Sequence, residues 1–186
     1  VTIAFAGDYL SYVGHLHAAL GGVLSKEGGF AAATQLAYET GKAGKRICFL
    51  GNGGSAAIAS HMAADWLKNG RFVAQCFNDG AALTCIANDL GFECVFSTQL
   101  QAHGRAGDLL VAISSSGKSL DILNAVVTAT SLGMNVITLS GFAADNPLRG
   151  MGTVNFYVPS SRYGIVETAH LAILHAILDK VMETKE

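Results

Sequence analysis

A chain of 186 residues is large enough to bury a full hydrophobic core as one domain. Its residues are 51% hydrophobic and only 14% charged, against a usual charged share of about 25%, so apolar surface beyond one core must be hidden, most simply by self-association. The net charge of −2 without any basic run argues against nucleic acid as the main partner, and polar residues break every apolar run short of the roughly 20 residues of a membrane span.

The first twenty residues, VTIAFAGDYLSYVGHLHAAL, lack a basic leader and a clear cleavage site and are expected to be mature sequence. From about Asp8 to Lys42 the spacing of Leu10, Val13, Leu16, Leu20, Leu24, Phe30, Leu36 and Tyr38 predicts helix, interrupted around Gly21-Gly22 and Gly28-Gly29. Then the periodicity changes. Ile47–Leu50 is a predicted strand, Ser55–Leu67 a helix, and Phe72–Phe77 a strand closed by the turn residues Asn78-Asp79-Gly80. Short helices are expected over Ala81–Ala87 and Glu93–Ala102.

Asp108–Ile113 is apolar on both faces, as expected in the middle of a parallel sheet. The loop Ser114–Ser119 follows, and then a helix over Leu120–Leu132 capped by Gly133. Strands over Val136–Leu139 and Val154–Val158 and a helix from about Ile165 to Met182 complete the chain. Strands alternating with helices predict an α/β fold, a doubly wound and mostly parallel five-stranded sheet flanked by helices, with an N-terminal helical extension. Ligands of such sheets collect beyond the carboxyl ends of the strands. The four cysteines, Cys48, Cys76, Cys85 and Cys94, form no CxxC pair and three lie in apolar segments, so buried free thiols in a reducing cytoplasm are expected.

Two loops carry chemistry. In Arg46–Lys68 an apolar run meets Gly51-Asn52-Gly53-Gly54-Ser55 and a helix follows at once, which aims free backbone N–H groups at an anion. It has neither P-loop nor GxGxxG spacing, and a plain strand-to-helix turn stays open for this loop alone. The second loop places the hydroxyls of Ser114, Ser115, Ser116 and Ser119 at a helix N-terminus. One serine suffices for an N-cap, whereas four in six residues suit a phosphate dianion held without metal or arginine.

The proton-handling candidates are His61, Asp65, Glu167 and His175. His61 and Asp65 lie four apart, on one helical face. Glu167 and His175 are eight apart, about 80° after two turns, so both can face one cavity. A carboxylate and an imidazole within an otherwise apolar helix are costly unless paired. Three readings stay open: an acid–base set, a self-satisfied Glu–His pair, and a divalent-metal site. For His170 a structural role is favoured, and His15, His17 and His103 carry no functional assignment.

Together these segments, with Ala87-Asn88-Asp89-Leu90-Gly91-Phe92, resemble the SIS (sugar isomerase) domain of flavodoxin-like topology. Within it they resemble the phosphoheptose isomerases, which interconvert sedoheptulose 7-phosphate and glycero-manno-heptose 7-phosphate. The resemblance covers nearly the whole chain as a single domain. It implies that Asn52, Gly53, Gly54 and Ser55 line a sugar-phosphate site, with Asn88 and Asp89 beside them, and that Ser114, Ser115, Ser116 and Ser119 hold the phosphate. A carboxylate at Asp65 would move the proton between C1 and C2, with His175 as acid–base partner. Some members hold zinc through residues matching His61, Asp65, Glu167 and His175. A cytoplasmic homotetramer is implied, with residues 1–44 packing between subunits and sites completed across them.

Two departures stand out: Asp65 replaces the usual Glu, and Glu167 the usual Gln. The first withdraws the carboxylate by about 1.5 Å; the second adds negative charge, raising a neighbouring carboxylate's pKa or tightening a cation. A relative that binds the bacterial replication initiator lacks both histidines, which this chain keeps. The expected activity is therefore aldose–ketose isomerisation of a phosphorylated sugar. The alternative is a non-catalytic module that binds a sugar phosphate or a protein.

Overall fold

Five short strands form one sheet: β1 (Arg46–Gly51), β2 (Val73–Cys76), β3 (Leu109–Ser114), β4 (Asn135–Ser140) and β5 (Val154–Tyr157). Their order is β2-β1-β3-β4-β5 and every pair is parallel. This computed structural model describes residues 9–24 and 29–184. The expected helix start at Asp8, the Gly28 half of the second glycine pair and the N-terminal processing expectation lie outside the described residues, as does the Leu24 side chain.

The doubly wound expectation holds, with the sheet wholly rather than mostly parallel. Successive side chains on a strand point to opposite faces. Ile47, Phe49, Leu109, Val111 and Ile113 therefore meet one helical layer: α1 (Tyr9–Leu24), α2 (Gly29–Lys42), α3 (Gly54–Lys68) and α7 (Tyr163–Glu183). Cys48, Leu50, Leu110 and Ala112 meet the other layer, chiefly α5 (Val95–His103) and α6 (Leu120–Ser131), with α4 (Gly80–Leu90) at its margin. All six residues of β3 are buried, and its first five, Leu109 to Ile113, are apolar without alternation.

Most element ends lie within two residues of the sequence expectation, and three differences are larger in kind. α1 runs through Gly21-Gly22, because a helix packed on its neighbours tolerates glycine at modest cost. α4 continues past Ala87 to Leu90, as nothing breaks it before Gly91 at φ 99°. The segment expected as a helix from Glu93 opens with a 3₁₀ turn, Phe92–Cys94, before α5. Of the cysteines only Cys48 is fully buried, and burial together with the nearby Asp108 charge pushes its thiol up to about 12. Cys76 and Cys94 are half-buried and Cys85 is exposed, so the expectation of free thiols holds while that of general burial does not.

His170, on the sheet-facing side of α7, is fully buried, with Nε2 3.1 Å from the Ser140 carbonyl. A carbonyl only accepts, so Nε2 carries the proton and donates it. Burial lowers the imidazole pKa to about 4 from an ordinary 6.5, against a smaller opposing effect of that hydrogen bond. The unfolded chain therefore takes up a proton on acidification that the folded chain refuses. This contribution to stability is present in full above pH 6.5 and is lost as pH falls through about 4, a total of about 3 kcal/mol. Denaturant unfolding at pH 7.5, 5.5 and 4.5 should show this acid slope, and His170→Gln should flatten it; identical slopes would assign it to other groups.

Candidate active site

Gly51 on β1 lies opposite Ile113 on β3, so the two chemically rich loops leave the sheet side by side. β1 connects outward to β2 while β3 leads to β4, which makes this the switch point of the sheet, where α/β folds open a crevice. A pocket lies there. It is lined by Asn52, Gly53, Gly54, Ser55, Ser114, Ser115, Ser116, Ser119, Tyr163 and Glu167. Gly53 sits at the N-cap of α3 with φ 55°, and no side chain caps that helix.

The serines divide the work. Ser114 Oγ accepts from the Gly117 N–H at 3.2 Å and Ser116 Oγ from the Lys118 N–H at 3.3 Å, which shapes the loop. Ser119 holds the N-cap position of α6, but its side chain makes no capping hydrogen bond. Ser115 Oγ is buried without a protein partner. A buried hydroxyl left unpaired costs about 1–3 kcal/mol, which an arriving anion oxygen would offset. Ser115→Ala should therefore weaken inorganic phosphate binding about tenfold while leaving or raising the thermal midpoint of the free protein. Calorimetry beside thermal denaturation checks this, and unchanged phosphate affinity would exclude Ser115 from the anion site.

Asp121, in the first turn of α6, is only 3% exposed, and its Oδ2 accepts from Asn52 Nδ2 at 2.7 Å. Burial raises its pKa above the ordinary carboxylate value, and hydrogen bonds from Asn52 and the backbone act in the opposite sense. The sequence reading missed both Asp121 and Tyr163. A carboxylate at the second residue of an apolar helix directly after the serine loop was the available sign for Asp121. Tyr163 begins α7, and nothing in its local sequence sets it apart.

The proton-handling residues sit along the seam between α3 and α7. Asp65 Oδ2 lies 3.5 Å from His61 Nε2 and 3.8 Å from His175 Nδ1, and the two Nε2 atoms are 3.3 Å apart. The donor atoms of these three residues all lie within 4.8 Å of one another. Ligand atoms around a tetrahedral zinc stand roughly 3.3 Å apart, so two imidazoles and one carboxylate fit a zinc site with a position left open. Glu167 is not in this group. Its carboxylate lies over Gly54, where a Cβ would come within 2.5 Å of either oxygen, and it faces the serine pocket. Eight residues of α7, about 12 Å of axial rise, separate it from His175.

Asn88 and Asp89 also fall outside the pocket. The extension of α4 carries them to its exposed last turn, where Asn88 Nδ2 donates to Asp89 Oδ1 at 2.8 Å.

Residues 11–141 match the SIS domain family. The chain is 38% identical over 164 residues to the phosphoheptose isomerase of Campylobacter concisus, covering 84% of this chain and 85% of that one. The chain belongs to the SIS-domain family of phosphoheptose isomerases. The solved phosphoheptose isomerase of Neisseria gonorrhoeae superimposes with a TM-score of 0.83 at 33% identity, covering 92% of this chain and 95% of that one. That of Francisella tularensis superimposes with the same score at 28% identity, over 94% and 96%. Among the described residues no helix is long and apolar enough to cross a membrane.

Proposed function

We propose that this protein is an aldose–ketose isomerase that interconverts sedoheptulose 7-phosphate and D-glycero-D-manno-heptose 7-phosphate. The observation that carries the reading is Asp65 within reach of two imidazoles, on the same α3–α7 seam whose other end meets the serine pocket. A phosphate on the serine loop then tethers a sugar whose far end must reach a proton-transfer group about two helical turns away. A long, opened sugar chain suits that separation. The printed activity of relatives at 33–38% identity supports the same reading.

In the reaction the Asp65 carboxylate takes the proton from the carbon beside the carbonyl, giving an enediol, and returns it to the neighbouring carbon. His175 gives a proton to the carbonyl oxygen as it becomes a hydroxyl and removes one from the hydroxyl that becomes the new carbonyl. Ser115 and Ser119 hold the phosphate and Asn52 orients a sugar hydroxyl. His61, Asp65 and His175 would hold zinc, which when bound supplies Lewis-acid polarisation of the sugar oxygens.

His61 has a side chain 52% exposed in the protomer, and proton abstraction next to a carbonyl works best away from water. A partner subunit over this seam would supply that cover. Tyr9 and Leu10, 78% and 73% exposed on α1, offer an apolar surface for it. We read the assembly as a homotetramer packed through the N-terminal helices, in the cytoplasm, where the free cysteines remain reduced.

Incubation with sedoheptulose 7-phosphate in deuterated water, followed by NMR, tests the reading. Deuterium entering at C1 or C2 is the expected result. Binding without exchange would instead favour the sugar-phosphate-binding module, for which the shorter Asp65 is the one supporting feature.

A further inference from the structure

Asn52 lines the pocket from the tip of β1, and its side-chain amide has two chemically opposite ends. The end presented to a ligand decides whether Asn52 gives or takes a hydrogen bond. Asp121 faces that amide at 2.7 Å and, as an ionised carboxylate, can only accept. Nδ2 is therefore the end that must turn to Asp121, and Oδ1 is the end left for a ligand hydroxyl. The contact also ties the β1–α3 loop to the first turn of α6, the two sides of the crevice.

We propose that Asp121 is a positioning residue that locks the Asn52 amide in one orientation, so that the pocket offers an acceptor to a sugar hydroxyl next to the phosphate clamp. Being 3% exposed, Asp121 is unavailable to a substrate and acts only through Asn52. Its burial and its bonds to the backbone at the start of α6 keep the carboxylate from swinging away. Asp121→Asn would lose this direction, because an amide can meet either end of Asn52. The acceptor's consequence is specificity: a hydroxyl at that carbon is recognised, and a deoxy or carbonyl analogue leaves Asn52 Oδ1 unpaired.

The inference rests on the sugar-phosphate reading of the pocket, and a double-mutant cycle separates the two. Binding of sedoheptulose 7-phosphate and of inorganic phosphate is measured by calorimetry for the wild type, Asp121→Asn, Asn52→Ala and the double variant. With Asn52 present, Asp121→Asn should weaken sugar-phosphate binding about tenfold; with Asn52→Ala the same change should matter less than about twofold. Inorganic phosphate, held by the serines, should change less than about twofold throughout. Asp121→Ser, whose shorter hydroxyl can also give or take a hydrogen bond but which keeps a good helix start, should lose at least as much as Asp121→Asn.

Equal losses in the two Asn52 backgrounds would overturn the inference and leave the isomerase reading intact. So would loss of inorganic phosphate binding in both Asp121 variants, since Asp121 would then serve the loop's folding rather than the amide's direction. A wild type that couples in this cycle but exchanges no deuterium overturns the isomerase reading and leaves the positioning role standing. A wild type that binds no sugar phosphate removes both.

Discussion

Asp65→Asn is expected to lower turnover by about a thousandfold, within the range that positioned general bases contribute. The amide keeps the shape of the side chain but cannot accept a proton from carbon at neutral pH. Asp65 faces His61 and His175 and does not line the serine pocket, so affinity for inorganic phosphate should stay within about twofold. The deuterium-exchange assay checks the first expectation and calorimetry the second. Asp65 is also one of the three residues that would hold zinc, so the assay is repeated with zinc saturating and with metal content measured. A loss that persists with zinc bound assigns the defect to the base; full rescue by zinc would confine Asp65 to holding the metal. Unchanged turnover would remove it from the chemistry altogether.

The second large effect is structural. Gly117→Ala should destabilise the fold by more than about 3 kcal/mol and abolish phosphate binding. Gly117 has φ 62°, and a Cβ there would stand 2.0 Å from Asn146 Oδ1 and 2.4 Å from its Cγ. Asn146 cannot yield. Its Nδ2 donates to the Ala143 and Gly141 carbonyls at 2.8 and 3.1 Å, and its Oδ1 accepts from the Arg149 N–H at 3.1 Å. The serine loop is further stitched to this segment by Leu148 N–H donating to Gly117 O at 3.2 Å and Gly141 N–H to Ser115 O at 3.0 Å.

Two other glycines serve as controls. Gly44 has φ 66° with nothing within 4 Å of a built Cβ, so Gly44→Ala measures backbone strain alone, about 1 kcal/mol. At Gly54 the Cβ would meet the tip of Glu167, which can rotate, and the cost should be small. Chemical denaturation orders the three, and a Gly117 variant no worse than the Gly44 variant would show that the Asn146 bracket is not rigid.

Much of the site was legible because its signals are local. A run apolar on both faces, such as Leu109–Ile113, announces a central strand, and a dense set of serines before a helix announces an anion site. The His61–Asp65 pairing follows from helical spacing alone. Asn88 and Asp89 lie beyond the expected helix end yet within α4, because a helix ends where the chain first meets a residue it cannot accommodate, here Gly91. Asp121 was passed over because its meaning lies in a partner 69 residues away. Glu167 fits the helical spacing to His175, but its side chain turns to the serine pocket because Gly54 leaves room where any Cβ would stand.

By itself the sequence determined the order of strands and helices, the parallel sheet and the two loops, since these arise from periodicity and backbone preference within a few residues. Only the tertiary structure decided that α7 lies along α3, bringing His175 to Asp65 and Glu167 to Gly54, and that Asn52 donates to Asp121. Those contacts depend on how helices pack across the sheet, and packing follows from the summed shape of many distant side chains rather than from any one segment.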